Sequence, residues 1–294
     1  MDILVTGGTG QVGIELLRQP WPGEVRLHAP ARAELDLVDP VSVARVMASR
    51  RWDAVISCGA YTAVDKAESE VAAAWAANAL APAILAKAAA GAGAPIVHLS
   101  TDYVFAGDKP EPYREDDPVG PISVYGASKE GGEQAVRTAN PRHVVLRTAW
   151  VVSPHRANFL KTMLRLGAER EELRVVADQR GCPTFAADLA GAVRTIALRL
   201  AREPDAPAGA FHFVGAGEAS WADFAAAIME GAAARGFRAA RIVPITTAEY
   251  PTPARRPANS RLSTEKLRRE YGIEPPPWRH SLSVALDETG GAPG

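Results

Sequence analysis

The sequence predicts an α/β fold, a doubly wound parallel sheet with a smaller, interwoven C-terminal domain. Three observations predict it. Across residues 1–150, short apolar runs alternate with helical patterns, as they do when each parallel strand needs a helical crossover. The first apolar run passes directly into a glycine-rich turn and then a helix. Beyond Trp150 the alternation loosens and shorter helices dominate.

The first strand is Asp2–Thr6, followed by Gly7-Gly-Thr-Gly-Gln-Val-Gly13 and a helix over Ile14–Arg18. The turn contains G-x-G-x-x-G at Gly8, Gly10 and Gly13, and the wider G-x-x-G-x-x-G at Gly7, Gly10 and Gly13. Glycine suits the tight turn, the approach of a pyrophosphate to the backbone and the packing of helix on strand. The helix N-terminus then offers N–H groups and a positive dipole end to phosphate. The expectation is a dinucleotide site, with Gly7, Gly10 and Gly13 as contacts.

Val25–His28 reads as the second strand. An acidic residue just after it would suit the ribose diol of NAD. The chain has Ala29-Pro-Ala-Arg32 instead. Arg32 is therefore expected to meet a 2′-phosphate, which favours NADPH over NADH, or else to be a solvated loop residue. A helix over Ser42–Arg50 and a buried strand over Asp53–Cys58 follow. The Ala-rich segment 70–90 reads as a helix interrupted near Pro82, with Asn78 placed to face the sheet.

Ala94–Ser100 reads as a strand ending in hydroxylated residues, and strand ends are where open α/β sheets place their ligands. Thr101 and Asp102 should therefore face a crevice. After a Pro- and acid-rich loop, Tyr125-Gly-Ala-Ser-Lys129 opens a helix that runs on through Glu133 and Val136. Residues four apart share a helix face, so Tyr125 and Lys129 point the same way. A free phenol, with a pKa of about 10, is a poor acid–base catalyst near neutrality, and a nearby ammonium would lower it. Strand His143–Ala149, helix Asn158–Leu166, strand Leu173–Ala177, helix Asp188–Leu200 and a last sheet strand at Gly209–Gly215 come next. Ser220 caps a further helix, and helices near Thr264 and Ser281 precede a tail expected to be disordered from Thr289.

Composition narrows the function class. The chain has 294 residues, 47% hydrophobic and 23% charged, with formal net charge −1. That balance gives no electrostatic case for nucleic acid or a membrane surface as partner. Only six of the 33 basic residues are Lys, so the abundance of Arg reflects compositional bias. Cys58 and Cys182 are too few for a disulfide framework, and the six His show no ligand spacing, so no metal site is expected. No leader precedes the strand at Asp2 and no apolar stretch reaches membrane-spanning length, which together suggest a cytoplasmic protein.

The glycine turn, the Thr101 hydroxyl and Tyr125-x-x-x-Lys129 in this order resemble the extended short-chain dehydrogenase/reductase superfamily. Within it the chain is similar to the dTDP-4-dehydrorhamnose reductases. That similarity rests on Ala60–Glu68, Ser100–Phe105, Arg147–Val151, Asp178-Gln179 with Pro183-Thr184, and Pro251–Leu262. The resemblance implies a Rossmann-like dinucleotide-binding domain at residues 1–150, with returns at about 181–215. A substrate-binding domain would occupy 151–180 and 216–294. It implies Thr101, Tyr125 and Lys129 as catalytic residues, and Tyr125 and Lys129 also as cofactor contacts. Gly10, Gln11 and Val12 would meet the pyrophosphate, Asp36 and Leu37 the adenine, and Ala60, Tyr61 and Thr62 would line the cofactor. Thr101, Asp102 and Trp150 would contact the sugar nucleotide. In the Pro251–Leu262 loop, Arg255, Arg256 or Arg261 is expected to help hold its diphosphate, the alternative being that they are surface charges.

The implied activity is NADPH-dependent reduction of the C4 ketone of a dTDP-6-deoxy-4-keto sugar by a monomer or homodimer. Two departures stand out: Ala258 where the family has glycine, and Ala149 where Arg-Thr-Ser-Trp is usual. Related dehydratases carry Thr-Asp-Glu where this chain has Thr101-Asp102-Tyr103, which removes one carboxylate from a pair that divides acid and base roles. The alternatives are another sugar-nucleotide reductase or epimerase of the same superfamily and a non-catalytic dinucleotide-binding regulatory subunit.

Overall fold

Near-continuous burial along the strands, as in Ala54–Ser57, marks a sheet covered on both faces. The computed structural model describes residues 1–289, and in it β1 (Asp2–Thr6), β2 (Arg26–His28), β3 (Ala54–Ser57), β4 (Ile96–Thr101), β5 (His143–Thr148) and β10 (Gly209–His212) form one parallel sheet. The strand order is β10-β5-β4-β3-β1-β2. On one face Ile3, Val5, Ile56, Val97, Val144 and Leu146 pack against α1 (Gln11–Arg18), α8 (Ala186–Arg202) and α10 (Glu265–Tyr271). On the other, Leu4, Val55, Ile96 and Val145 meet α2 (Pro40–Ala48), α5 (Ala81–Gly91) and α6 (Val124–Ala139). The doubly wound α/β fold expected from the sequence is therefore present. After Thr289, the tail expected to be disordered lies outside the described residues.

A second apolar cluster gathers Leu160 and Met163 of α7 (Phe159–Glu169), Phe224, Ile228 and Met229 of α9 (Trp221–Ala233), and Trp278 and Leu282 of α11 (Trp278–Glu288). Beside it β7 (Glu172–Val176) pairs in parallel with β12 (Arg241–Ile245), a strand the sequence reading missed. Two small pairings complete this region: β6 (Val151–Val152) with β9 (Thr184–Phe185), and β8 (Arg180–Gly181) with β11 (Ala219–Ser220). Ser220 opens α9 with a full capping box, since its hydroxyl accepts from Asp223 N–H and the Asp223 carboxylate accepts from Ser220 N–H.

The interruption expected near Pro82 is present as a widening of the helix. Helix α4 (Val71–Trp75) runs through a π-helical turn, Ala76–Leu80, into α5. Pro82 has no N–H for the carbonyl of Asn78 four residues earlier, and the chain widens just there. The whole run, Val71–Gly91, spans 21 residues with mean hydropathy 1.4, so an apolar helix of spanning length does exist, contrary to the expectation. Its apolarity is largely alanine, and Leu85, Ala86 and Ala89 are spent on the core beside α2 and α6.

Helix α6 is tied to the sheet by a buried ion pair. Arg147 of β5 donates from Nε to Glu133 Oε1 (2.9 Å) and from a terminal nitrogen to Oε2 (2.8 Å). Ser100 of β4 donates to the same carboxylate at 2.6 Å, and Phe105 lies under the guanidinium at 4.9 Å. Glu133 and Arg147 are 0% and 1% exposed. Removing one partner strands a buried charge, whereas replacing both with apolar groups does not. Glu133→Ala should therefore lower unfolding free energy by about 3–5 kcal/mol in chemical denaturation. The double variant Glu133→Leu/Arg147→Met should lose clearly less, and equal losses would show that the pair's charges are not the reason.

Candidate active site

The strand order turns back at β1, with β2 on one side and β3 on the other, which is where such sheets open a ligand crevice. The two backbones meet there: Gly7 has φ 69°, and a Cβ on it would stand 2.7 Å from the nitrogen of Gly59. A Cβ on Gly13 would lie 2.2 Å from the Gly7 carbonyl oxygen. Gly10 is the N-cap of α1 and has no side chain to satisfy the first-turn N–H groups. A pyrophosphate is the missing cap this arrangement suits. Gln11 is held from across the crevice, its Oε1 accepting from Ser153 Oγ and Asn158 Nδ2, both at 2.9 Å.

The glycine turn borders two connected spaces. A recess of about 470 Å³ is lined by Ala29, exposed Arg32, Asp36, Leu37 and Ala60. A crevice of about 870 Å³ is lined by Gly7, Gly10, Gln11, Val12, Gly13, Ala60 and Thr62 on one side and by Thr101, Asp102, Tyr125, Lys129 and Trp150 on the other. Tyr61 lines neither. Its phenol donates to Glu70 at 2.6 Å, and its backbone is gripped by the buried amide of Asn78, which also donates to Ser128 Oγ.

Thr101 ends β4, and its hydroxyl accepts from Tyr103 N–H (3.2 Å) while donating to Asp102 Oδ1 (3.0 Å). Ser123 caps α6 by accepting from Gly126 N–H at 3.2 Å, which sets Tyr125 in the first turn. Tyr103 meets the Tyr125 ring edge-on at 5.4 Å. Burial pushes the Tyr125 phenol up to about 12, opposed by the Thr101 hydroxyl beside it. Lys129 is not among the groups that move it, and its ammonium donates to the Leu99 carbonyl at 2.6 Å. Burial brings Lys129 itself down to about 8, against the pull of Glu133. The result is a phenol that keeps its proton at neutral pH beside a cation. Asp102 is 3% exposed, burial raises its carboxyl to about 6, and its Oδ2 has no hydrogen-bond partner among the described residues.

Trp150 stands at φ 51° and stacks on Trp221 at 3.6 Å, with Phe159 against Trp221 at 4.6 Å. The stack needs Gly181, where a Cβ would lie 2.5 Å from the Trp150 ring. Trp221 and Phe159 line the crevice and were missed in the sequence, since nothing in their spacing sets them apart from core aromatics.

The three arginines of the late loop separate. Arg256 reaches the crevice and pairs with Asp65, at 2.8 and 2.9 Å. Arg255 is exposed outside it, and Arg261 is turned away by Glu218 (2.6 Å) and Asn259 (2.9 Å). Ala258 adopts no positive φ, so its extra methyl is accommodated without strain. Elsewhere Glu15, His155 and Glu288 converge, with one ligand atom of each within 4.8 Å of the others, a cluster the sequence spacing does not reveal. Arg18 extends one nitrogen toward all three, at 3.4, 2.7 and 3.1 Å, and supplies a positive charge there.

This geometry has close counterparts. The profile of the RmlD substrate binding domain family matches residues 1–290. A dTDP-4-dehydrorhamnose reductase of Sinorhizobium fredii is 50% identical over 282 residues, 96% of this chain and 95% of the relative. The crystal structure of a dTDP-4-dehydrorhamnose reductase from Clostridium acetobutylicum superposes with a TM-score of 0.92 at 38% identity, covering 99% and 100% of the two chains. That of the Bacillus anthracis dTDP-4-dehydrorhamnose reductase, in complex with NADP, gives 0.91 at 35% identity over 98% and 99%. With its glycine turn, crevice and late loop all inside the matched length, the chain belongs to the RmlD substrate binding domain family.

Proposed function

We propose that this protein reduces the C4 ketone of dTDP-4-dehydro-6-deoxy-L-mannose (dTDP-4-dehydrorhamnose), using NADPH, to give dTDP-L-rhamnose. The observation that carries the reading is the convergence of Thr101, a protonated Tyr125 and Lys129 with the glycine turn in one crevice. The relatives are named for this reaction along their whole length. When bound, NADPH supplies the hydride to the carbonyl carbon. Tyr125 gives its proton to the carbonyl oxygen as charge builds there, and its raised pKa keeps that proton available. Thr101, one hydroxyl rotation from Asp102, positions the same oxygen. Lys129 holds the nicotinamide ribose and places positive charge beside the tyrosinate left behind.

Asp102 borders the sugar-nucleotide site beside Thr101, Trp150 with Trp221 walls the sugar nucleotide, and Arg256 meets its diphosphate. Holding both partners with reacting atoms roughly 3–3.5 Å apart supplies much of the rate.

Dehydration is disfavoured by Tyr103. Burial, aided by the Asp102 charge, holds its phenol far above neutrality, so it cannot replace a basic carboxylate.

The direct test mixes the purified protein, NADPH and the 4-keto sugar: one NADPH should be oxidised per dTDP-L-rhamnose formed. Conversion of dTDP-glucose to a 4-keto-6-deoxy product without net cofactor use would refute the reading. Tyr125→Phe should cost about 10²–10⁴-fold in turnover with cofactor affinity nearly unchanged, and near-normal turnover would remove Tyr125 from the mechanism. Lys129 is charged below about 8 and neutral above it. The KM for NADPH should therefore rise from pH 7 to pH 9, and Lys129→Arg should flatten that rise. A wild-type KM that is level across this range would show that the ammonium does not hold the cofactor. Arg32→Ala should weaken NADPH far more than NADH, because a guanidinium at the recess pairs with the 2′-phosphate. Equal losses for both would make Arg32 a solvated loop residue.

A further inference from the structure

The link between β6 and α7 bends sharply over the glycine turn. Arg156 sits in it with φ 60°, one of two non-glycine residues in the left-handed region among those described. Such backbone is unfavourable for a residue with a side chain and persists where the surroundings impose it. The surroundings here are explicit. Asn158 Nδ2, with two N–H donors, sits within hydrogen-bond distance of the carbonyls of Ser153 (2.8 Å), His155 (3.0 Å) and Arg156 (3.3 Å) and of Gln11 Oε1. The bend that forces Arg156 into this conformation is therefore the same one that grips the glycine turn.

The strain places the side chain usefully. Arg156 Nε donates to the carbonyl of Thr9, between Gly8 and Gly10, at 2.8 Å. A guanidinium has five N–H donors. The other four have no partner, and the charge has no carboxylate within ion-pair distance, among the described residues. Three cations line the crevice: Lys129, Arg156 and Arg256. Lys129 is buried against Leu99 and Arg256 is paired with Asp65. The glycine turn itself contains no charged side chain. Its backbone N–H groups offer only partial charges to a pyrophosphate that carries two full negative ones.

We infer that Arg156 clamps the cofactor's pyrophosphate from across the crevice, bridging the phosphates and the Thr9 carbonyl. This rests on the cofactor reading given above and adds a residue to it. Because Arg156 belongs to the segment leading into α7 and the turn belongs to β1 and α1, a bound dinucleotide joins the two sides of the crevice. The clamp is exposed, as a cofactor exchanged at every turnover requires.

The test measures binding of NADPH and NADH by fluorescence titration of the full chain. Arg156→Gly removes the charge while relieving the backbone strain, and Arg156→Lys keeps a point charge without the fork. Arg156→Gly should weaken both dinucleotides alike by about 10- to 100-fold, with Arg156→Lys in between. The fall of NADH affinity with salt should also become shallower in Arg156→Gly, while its melting temperature without cofactor should be unchanged or raised. Unchanged affinities, or a loss confined to NADPH, would overturn the inference, the latter by assigning Arg156 to the 2′-phosphate. A melting temperature that falls together with affinity would also overturn it, by making Arg156 a structural residue. A wild-type chain that bound neither dinucleotide would instead overturn the cofactor reading itself.

Discussion

The seating of helix α6 on the sheet is the constraint on which the site depends. The proposed roles of Tyr125 and Lys129 require a fixed position relative to Thr101 at the end of β4. Four contacts fix it. A Cβ on Gly126 would stand 2.2 Å from the Tyr103 carbonyl oxygen, and one on Gly132 would stand 2.1 Å from that of Asn78, so the helix lies directly on backbone at both places. Between them Ser128 takes the Asn78 amide, and just after them Glu133 locks onto Arg147 and Ser100. The π turn before Pro82 belongs to the same assembly, because it brings Asn78 to Tyr61 on one side and to α6 on the other. A buried ion pair is a poor source of stability but a strong source of register, and register is what a proton donor needs.

Burial then sets the chemistry. The same desolvation raises Tyr125 and lowers Lys129, leaving a neutral acid beside a cation that is easily neutralised. This polarity suits proton donation to a forming alkoxide, the direction of a reduction. The other side of the crevice is built from residues far apart in sequence: Trp150 on Trp221, Arg256 on Asp65, and the Ser153–Asn158 bend on Gln11. Each of these joins a residue before 151 to one after it, so whatever fills the crevice is held from both sides.

The parts legible in the sequence are those encoded by local spacing. β1, the glycine turn and α1 are contiguous, apolar runs alternating with helices give the sheet, and Tyr125 and Lys129 are four apart on one helix. The parts that were not legible depend on where the chain returns. Among Arg255, Arg256 and Arg261 the composition is alike, and only the path of the loop sends Arg256 to Asp65 and Arg261 to Glu218. Trp221 reads as the first residue of a capped helix until Trp150 is found on its face. Arg156 gives no warning in a chain rich in arginine, since its left-handed backbone comes from Asn158 and not from its own identity. Lys129 is a further case. Spacing places two groups but does not say which carbonyl the ammonium reaches first.

The central claim is that this crevice transfers a hydride to a sugar carbonyl while Tyr125 supplies the proton. Deuterium transfer tests it most directly. The 4-keto sugar nucleotide would be incubated with NADPH carrying deuterium at nicotinamide C4, each face labelled in turn, and the product examined by NMR. The account predicts deuterium from one face only, at C4 of the sugar, with one NADP⁺ per labelled product. Product without deuterium at C4 from either label, or formed with the cofactor left unoxidised, would contradict it.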